Sequence, residues 1–325
     1  MRKRRIAILL VLLCFLVLVF ERVPAAADHK RVFMAPDDHT DYFWSATDVE
    51  YRQIFQTMLD YYLDQVQATA DERPEHQSRF STDGSLWLWE YEKNKTPAEF
   101  QRLVNAIKSG HISAPKNPLV ITYGGVPVEA VVRSMYYSGQ LERRYGLDFP
   151  LAIAMENAGM AYGLGAVWAG SGVRYSWKGV CNCPSLIPDL DDRQHEIYSW
   201  LGPDGSRILM KWNSLHEARN NESIGGYAEA RYPATALDIV TRNEVFAARY
   251  PYSTIGVFGQ GWDDLSTTDL RVQETCKADS DPNRTCIVSN SVDFFQEFDQ
   301  LFGASIPTVS ASFGNEWDLS PASLA

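Results

Sequence analysis

The sequence predicts an α/β protein with a parallel sheet, and two features of the chain lead to that fold class. Short apolar runs, typical of buried strands, alternate with segments whose apolar residues recur at helical spacing. The order strand, helix, strand, helix favours parallel strands joined by crossover helices. Acidic and aromatic residues follow several of the runs directly, where parallel sheets place their functional side chains.

The first predicted strand spans residues 32–35, and an amphipathic helix follows over 48–66. A second strand is predicted at 79–83, followed by an aromatic-rich segment at 86–91. Thr96, Pro97 and Glu99 form a capping box at the start of a helix that should end at Gly110. Further strands are predicted at 119–123, 151–155, 173–176, 207–212, 254–259 and 307–310, further helices at 128–141, 233–250 and 291–302, and a hairpin turn at 202–205.

Length and charge limit the possible functions. With 325 residues the chain can form one large domain or two ordinary ones. Thirty Lys and Arg residues against 41 Asp and Glu residues give a net charge of −11, and no basic stripe could follow a phosphate backbone. We therefore expect no nucleic-acid partner. An aromatic content of 12% suits carbohydrate binding and equally suits a large core.

The N-terminus has the three parts of a secretory signal peptide. A basic start at 1–5 precedes an apolar run at 6–20 and small residues before Ala27. We expect residues 1–27 to direct export to a secreted, periplasmic or extracellular location, with cleavage near Ala27. An uncleaved membrane anchor is the alternative, because Glu21 and Arg22 could cap the run. No other stable membrane partner is expected.

The cysteines fit an exported protein. Cleavage would remove Cys14, one of five cysteines, and leave an even number in a compartment that permits disulfides. Cys276 and Cys286 flank a polar loop and are the expected pair. Cys181 and Cys183 are too close in sequence for an easy mutual bridge, and we interpret them as structural.

A candidate metal site follows the first predicted strand. His39 and Asp41 lie two residues apart, so in an extended segment they point to the same face. A neutral imidazole nitrogen and a carboxylate oxygen both suit Zn²⁺. Trp44, three residues further, offers an apolar plate on which sugars can stack. A polar turn after a buried strand is the alternative interpretation.

Three acidic positions fall at the ends of predicted strands, namely Asp41, Glu156 and the pair Asp263 and Asp264. Hydrolysis of a glycosidic bond needs two carboxyl groups that flank it. Adjacent acids oppose each other's ionisation, so one of Asp263 and Asp264 could keep a proton and act as the acid. Each acid taken alone could instead cap a helix or lie in a solvated turn.

With these motifs the sequence resembles the N-terminal catalytic domain of glycoside hydrolase family 38, the retaining α-mannosidases. The resemblance runs from about Val32 to the C-terminus and depends mainly on the pattern His39-x-Asp41-x-x-Trp44. Supporting motifs lie at 139–146, 155–159, 172–175, 203–206 and 261–264. The resemblance implies a (β/α)7-type barrel with parallel strands over residues 28–325, and a Zn²⁺ that grips two hydroxyl groups of a mannoside.

The resemblance also implies roles for individual residues. His39, Asp41 and Glu156 would bind the metal, and Glu156 would be the nucleophile. Asp264 or its neighbour Asp263 would be the acid/base. Trp44 and Trp262 are the candidate substrate-binding residues.

Two departures from the family pattern affect this prediction. Glu156 is one methylene longer than the aspartate that the resemblance leads us to expect. The family's fourth metal ligand is a histidine in a later helical domain, and the chain ends at Ala325, before that domain. We therefore expect a truncated member that binds zinc weakly.

Three functional hypotheses follow. The first is a zinc-dependent retaining α-mannosidase that hydrolyses O-glycosyl bonds. The second is a carbohydrate-binding protein derived from such an enzyme and catalytically impaired. The third, a polysaccharide deacetylase on a metal-binding barrel, has the least support because the chain has no His-x-x-x-His pair.

Overall fold

Strands and helices alternate along the chain. A computed structural model describes residues 29–119, 123, 126–155, 159–179, 197–212, 227–261 and 265–313. The strands are β1 (Lys30–Ala35), β2 (Phe80–Ser81), β3 (Ile112–Ser113), β4 (Leu151–Ile153), β5 (Tyr175–Lys178), β6 (Ile197–Leu201), β7 (Arg207–Trp212), β8 (Thr254–Phe258), β9 (Arg284–Val288) and β10 (Thr308–Val309).

Ten α-helices lie in the described ranges, and none of them has the length and apolar character that a membrane span requires. They are α1 (Asp48–Ala68), α2 (Leu86–Asn94), α3 (Pro97–Lys108), α4 (Val128–Ser134), α5 (Tyr136–Tyr145), α6 (Leu164–Gly170), α7 (Pro233–Arg242), α8 (Glu244–Arg249), α9 (Arg271–Ala278) and α10 (Ser291–Phe302).

The strands pair into three sheets, mostly in parallel. β1 lies between β8 and β9 and is parallel to both. β2 pairs with β3, also in parallel. The third sheet has the order β10-β6-β7-β5-β4, in which β6 and β7 are antiparallel and the other described pairs parallel. The fold is therefore a mixed α/β fold with parallel sheets, as the sequence predicts.

Hydrogen bonds outside the paired strands connect one sheet to the next. The Ser81 N–H donates to the Pro36 carbonyl at 2.9 Å, and Asp37 forms an isolated parallel bridge with Ser81. The Lys116 N–H donates to the carbonyl of Leu151, at the start of β4, at 2.7 Å. Strand pairing among the described residues does not by itself trace a closed barrel.

Two local predictions are confirmed. The Thr96 hydroxyl accepts the Glu99 N–H at 3.3 Å, and the Glu99 carboxylate accepts the Thr96 N–H at 2.8 Å, so the capping box begins α3. The predicted turn at 202–205 joins the antiparallel strands β6 and β7, with the Gly202 N–H donating to the Ser206 carbonyl at 2.9 Å.

Several predicted elements differ from the observed ones. The helix predicted at 128–141 is two helices, because the Met135 backbone, with ψ of −1°, ends α4 before α5 begins. The aromatic-rich segment at 86–91 is helical, and Trp87 and Tyr91, four residues apart, share the buried side of α2. Most of the strand predicted at 119–123 lies outside the described residues.

The predicted Cys276–Cys286 disulfide is confirmed, and it joins α9 to β9 across a Cα–Cα distance of 4.9 Å. The polar loop between the two cysteines is shorter than predicted, because α9 continues past the first and β9 begins before the second. β9 was not predicted as a strand. Cys181 and Cys183 lie outside the described residues.

The largest apolar core of the described residues combines side chains of strands and helices. Side chains of β1, β4, β5, β8 and β9 pack there with α7, α9 and α10. Trp177 meets Phe258 edge to face, with ring centroids 5.1 Å apart, and Tyr175 stacks on Phe295 at 5.2 Å. Burial of these large apolar side chains stabilises strands that are too short to be stable alone.

We expect Thr96→Ala to lower the free energy of unfolding by about 1 kcal/mol, because α3 loses the hydroxyl that accepts its Glu99 N–H. Urea denaturation followed by circular dichroism measures the change. Thr57→Ala, at an exposed position inside α1, is the matched control and should change stability by less than about 0.5 kcal/mol. Equal losses in the two variants would contradict the capping assignment.

Candidate functional site at the end of the first strand

The segment that follows β1 is fixed by contacts from the segment that follows β8. The Gly259 N–H donates to the Ala35 carbonyl and the Gly261 N–H to the Asp37 carbonyl, both at 3.0 Å. The Asp37 carboxyl accepts the Gln260 N–H at 2.9 Å. Two strand ends that are neighbours in the sheet therefore continue side by side beyond it.

Asp37 and Asp38 are buried, and each is held by a hydrogen bond. The Thr267 hydroxyl donates to the Asp38 carboxylate at 2.6 Å. Burial raises the pKa of Asp37 well above its ordinary value, and the nearby Asp83 carboxylate raises it further. Burial at this position therefore opposes the ionisation of Asp37.

His39 and Asp41 lie together, as their spacing predicts. The His39 Nε2 atom is 3.2 Å from the Asp41 Oδ1 atom. His39 is fully buried, whereas a quarter of the Asp41 side chain is exposed. Two ligand atoms of a tetrahedral Zn²⁺ lie about 3.3 Å apart, so these two atoms fit one edge of such a shell.

Asp83 contacts the opposite side of the His39 ring. Its Oδ2 atom is 3.5 Å from the His39 Nδ1 atom and accepts the Thr40 N–H at 2.8 Å. Asp83 ends the second predicted strand, and no sequence motif gave it a role. Its position at the end of that strand is the signal that could have identified it, because neighbouring strands bring their ends together.

Tyr227 covers one face of the same imidazole. The two rings are inclined by 31°, with their centroids 4.2 Å apart. Tyr227 is 188 positions from His39 in the numbering of the chain, and no sequence pattern singled it out. The described structure therefore surrounds His39 with Asp41, Asp83 and an aromatic ring.

Trp44 lies in an exposed turn next to the pair. The Trp44 N–H donates to the Asp41 carbonyl at 2.8 Å, and 79% of the Trp44 residue surface is exposed. Phe43 has a φ of 73°, in the left-handed region, and is 63% exposed. Such a conformation is uncommon for a bulky residue. The Trp44 ring is free to stack on a ligand.

Glu156, Trp262, Asp263 and Asp264 lie outside the described residues. In the part of the chain that is described, no group of three or more His, Cys, Asp and Glu residues could hold a metal ion. The described residues thus supply two of the three predicted ligands, and the fit to zinc rests on the His39 and Asp41 pair.

Comparisons with known proteins identify the fold. No family model matches the chain, and neither does any curated protein. Among solved structures, an α-mannosidase from Enterococcus faecalis V583 has 14% sequence identity and a TM-score of 0.64, covering 87% of this chain and 31% of its own. A glycosyl hydrolase family 38 protein from Enterococcus faecalis has 16% identity and a TM-score of 0.55, with coverages of 88% and 29%.

A third similar structure comes from a different enzyme. It is the 4-α-glucanotransferase from Thermococcus litoralis, with 11% identity, a TM-score of 0.52, and coverages of 83% and 40%. At these identities the likeness shows the fold, which is one found in glycoside hydrolases. The chain spans about three-tenths of the length of the two Enterococcus proteins.

We expect Gly261→Ala to destabilise the site, because the added Cβ would overlap the Asp38 carboxylate and the Thr267 hydroxyl. Overpacking of this kind costs about 1–3 kcal/mol of unfolding free energy. The matched control is Gly163→Ala, where a Cβ meets nothing within 4 Å and φ is −76°. The control should leave stability unchanged or raise it by up to about 1 kcal/mol in urea denaturation. A stable Gly261→Ala variant would contradict the close contact.

Proposed function

We propose that the chain carries the catalytic barrel of a zinc-dependent retaining glycosidase of the α-mannosidase type. The observation that carries the proposal is the His39 and Asp41 pair, 3.2 Å apart at the end of β1, on a fold similar to that of an α-mannosidase. Fold likeness alone does not determine function, so the argument depends on the chemistry of the site.

A (β/α)7-type barrel is the architecture we propose for residues 28–325. The contacts between sheets support it, because they follow a ring order: β1 to β2, the segment after β3 to β4, and β4 through β5 to β7. From β7, the Lys211 side chain contacts Glu229, whose N–H donates to the Phe258 carbonyl of β8 at 2.7 Å. β8 pairs with one edge of β1, β9 pairs with the other, and the contact with β2 is made beyond the strand by Asp37.

His39, Asp41 and Glu156 would hold the zinc ion. When bound, the ion would act as a Lewis acid on sugar hydroxyl groups and orient the sugar ring. The Asp83 carboxylate would orient His39 through Nδ1, an arrangement in which a carboxylate holds the ring of a metal-binding histidine.

Glu156 and the Asp263/Asp264 pair would carry out the bond chemistry. The Glu156 carboxylate would form a bond to the anomeric carbon while the glycosidic C–O bond breaks and the leaving oxygen takes a proton from Asp264 or Asp263. The same aspartate would then accept a proton from the water that releases the sugar. The described flanks support this placement, since Gly261 contacts Asp38, the neighbour of His39.

Aromatic side chains would bind the substrate. Trp44 is exposed beside Asp41, and Trp262 belongs to the segment that follows Gly261. Aromatic rings present flat apolar faces of the kind that sugar rings cover. We propose a mannoside as the substrate.

A second candidate function is carbohydrate binding without turnover. The glutamate at position 156 favours it, because its longer side chain would misplace the nucleophilic oxygen by about an ångström, which can cost on the order of a hundredfold in rate. We also propose export of the chain, and the Cys276–Cys286 disulfide supports an oxidising compartment.

Zinc binding provides the first test. We expect the full chain, stripped of metal by a chelator, to bind one Zn²⁺ in isothermal titration calorimetry. His39→Ala and Asp41→Ala should each weaken binding more than about a hundredfold, because loss of a partner that merely orients a ligand already costs 10- to 100-fold. His111→Ala, whose ring contacts Ser109 and Gln77, is the matched control. Equal binding by all four proteins would refute the metal site.

Turnover separates the two candidate functions. We expect zinc-dependent hydrolysis of an aryl α-mannoside that a chelator and Glu156→Gln both abolish. Glu156→Asp should raise kcat/KM by up to about a hundredfold, because it restores the shorter nucleophile. Binding of the mannoside by the zinc-loaded chain with no hydrolysis, in both the wild type and Glu156→Asp, would favour the binding protein instead.

A further inference from the structure

A buried ion pair lies against Trp177 and Phe258 of the largest core. The Lys211 Nζ atom of β7 is 2.7 Å from the Glu229 Oε2 atom, and the two side chains are 3% and 0% exposed. Removing two charges from water is costly, so burial of an ion pair is by itself weak evidence for a stabilising role. The position of this pair relative to His39 suggests another role.

Glu229 is hydrogen-bonded to β8 through both its side chain and its backbone. Its carboxylate accepts the Phe258 N–H at 2.9 Å, and its own N–H donates to the Phe258 carbonyl at 2.7 Å. The Ala230 N–H donates to the Gly259 carbonyl at 2.7 Å. The segment around Glu229 is therefore a short bridge between β7 and β8.

Lys211 is enclosed by apolar rings. Its Nζ atom is 4.8 Å from the centroid of the Phe258 ring and 5.6 Å from that of Trp177. Burial lowers the pKa of the Lys211 amino group, and the Glu229 carboxylate opposes that shift. The carboxylate and the two ring faces each interact favourably with an ammonium group, in a region that is almost fully buried.

Tyr227 precedes Glu229 by two residues, and its backbone packs against Gly259. Its carbonyl lies against Gly259, where a Cβ would overlap it and where φ is +81°, a conformation that favours glycine. The Tyr227 ring then covers His39 with ring centroids 4.2 Å apart. Lys211 is thus linked to His39 through its contact with Glu229, the backbone from Glu229 to Tyr227, and the ring contact of Tyr227.

We propose that Lys211 and Glu229 are positioning residues, which hold Tyr227 against the face of His39 and so fix the orientation of the imidazole. Asp83 fixes the ring at its Nδ1 edge, and Tyr227 fixes it at its face. The inference deepens the proposed function, on which it rests for the role of His39 as a metal ligand. The contacts of the ion pair themselves are independent of that role.

The test uses the full chain, stripped of metal and labelled with ¹³C at the histidine rings. The chain has six histidines, and the His39 resonance is assigned by its loss in His39→Asn. In the wild type the Tyr227 ring current should shift the His39 ring proton upfield. We expect the double variant Lys211→Met/Glu229→Gln to move this resonance downfield, as Tyr227→Leu does, while Tyr227→Phe leaves it in place.

Removing both charges together avoids an unpaired charge in the core, so the double variant should fold. If it does not, Lys211→Met alone leaves Glu229, which can take up a proton and still accept the Phe258 N–H, and it allows the same comparison. The matched control is Lys116→Met/Glu142→Gln, at a pair 2.7 Å apart whose lysine side chain is 5% exposed. This control should leave the His39 resonance unchanged.

Zinc affinity is the second measurement, and we expect the Lys211/Glu229 double variant to bind about 10- to 100-fold more weakly than the wild type. An unchanged His39 resonance in the folded double variant would overturn the proposal, and so would an equal shift in the Lys116/Glu142 control. A shifted resonance in a chain whose wild type binds no zinc would uphold the positioning of His39 and refute the proposed function.

Discussion

The pairing of β1 on both edges is the constraint on which the rest of the structure depends. β8 and β9 take up the hydrogen-bonding groups on its two sides, so the strand is enclosed and its residues from Val32 to Ala35 are apolar and buried. Asp37 is the first buried polar residue after this apolar run, and the candidate site follows within four residues.

Beyond β1, each buried polar group of the segment requires a partner, and those partners define the site. Asp37 takes the Gln260 N–H, Asp38 takes the Thr267 hydroxyl, and Asp83 takes the Thr40 N–H. Unpaired polar groups at this depth would be strongly destabilising. The same hydrogen bonds that stabilise the segment therefore hold His39 between two carboxylates.

The electrostatics of the segment are unusual because several carboxyl groups surround one imidazole in a region of low exposure. Burial, and after it the nearby Asp83 carboxylate, raises the pKa of Asp37 well above its ordinary value. Asp41, in contrast, is partly exposed and faces Nε2 of His39. In the proposed enzyme, Asp37 would therefore support the backbone, and Asp41 would face the ligand.

The sequence by itself determined the local structure and the pair of residues at the centre of the site. Four features depend on residues a few positions apart, whose interactions are fixed by the spacing. They are the capping box of Thr96 and Glu99, the turn at 202–205, the β1 strand and the close approach of His39 to Asp41. Only the tertiary structure decided that β9 pairs with β1, that Asp83 reaches Nδ1 of His39 and that Tyr227 covers its ring. These contacts join segments far apart in the chain, and they form because packing of the core brings the strand ends together, which no local pattern specifies.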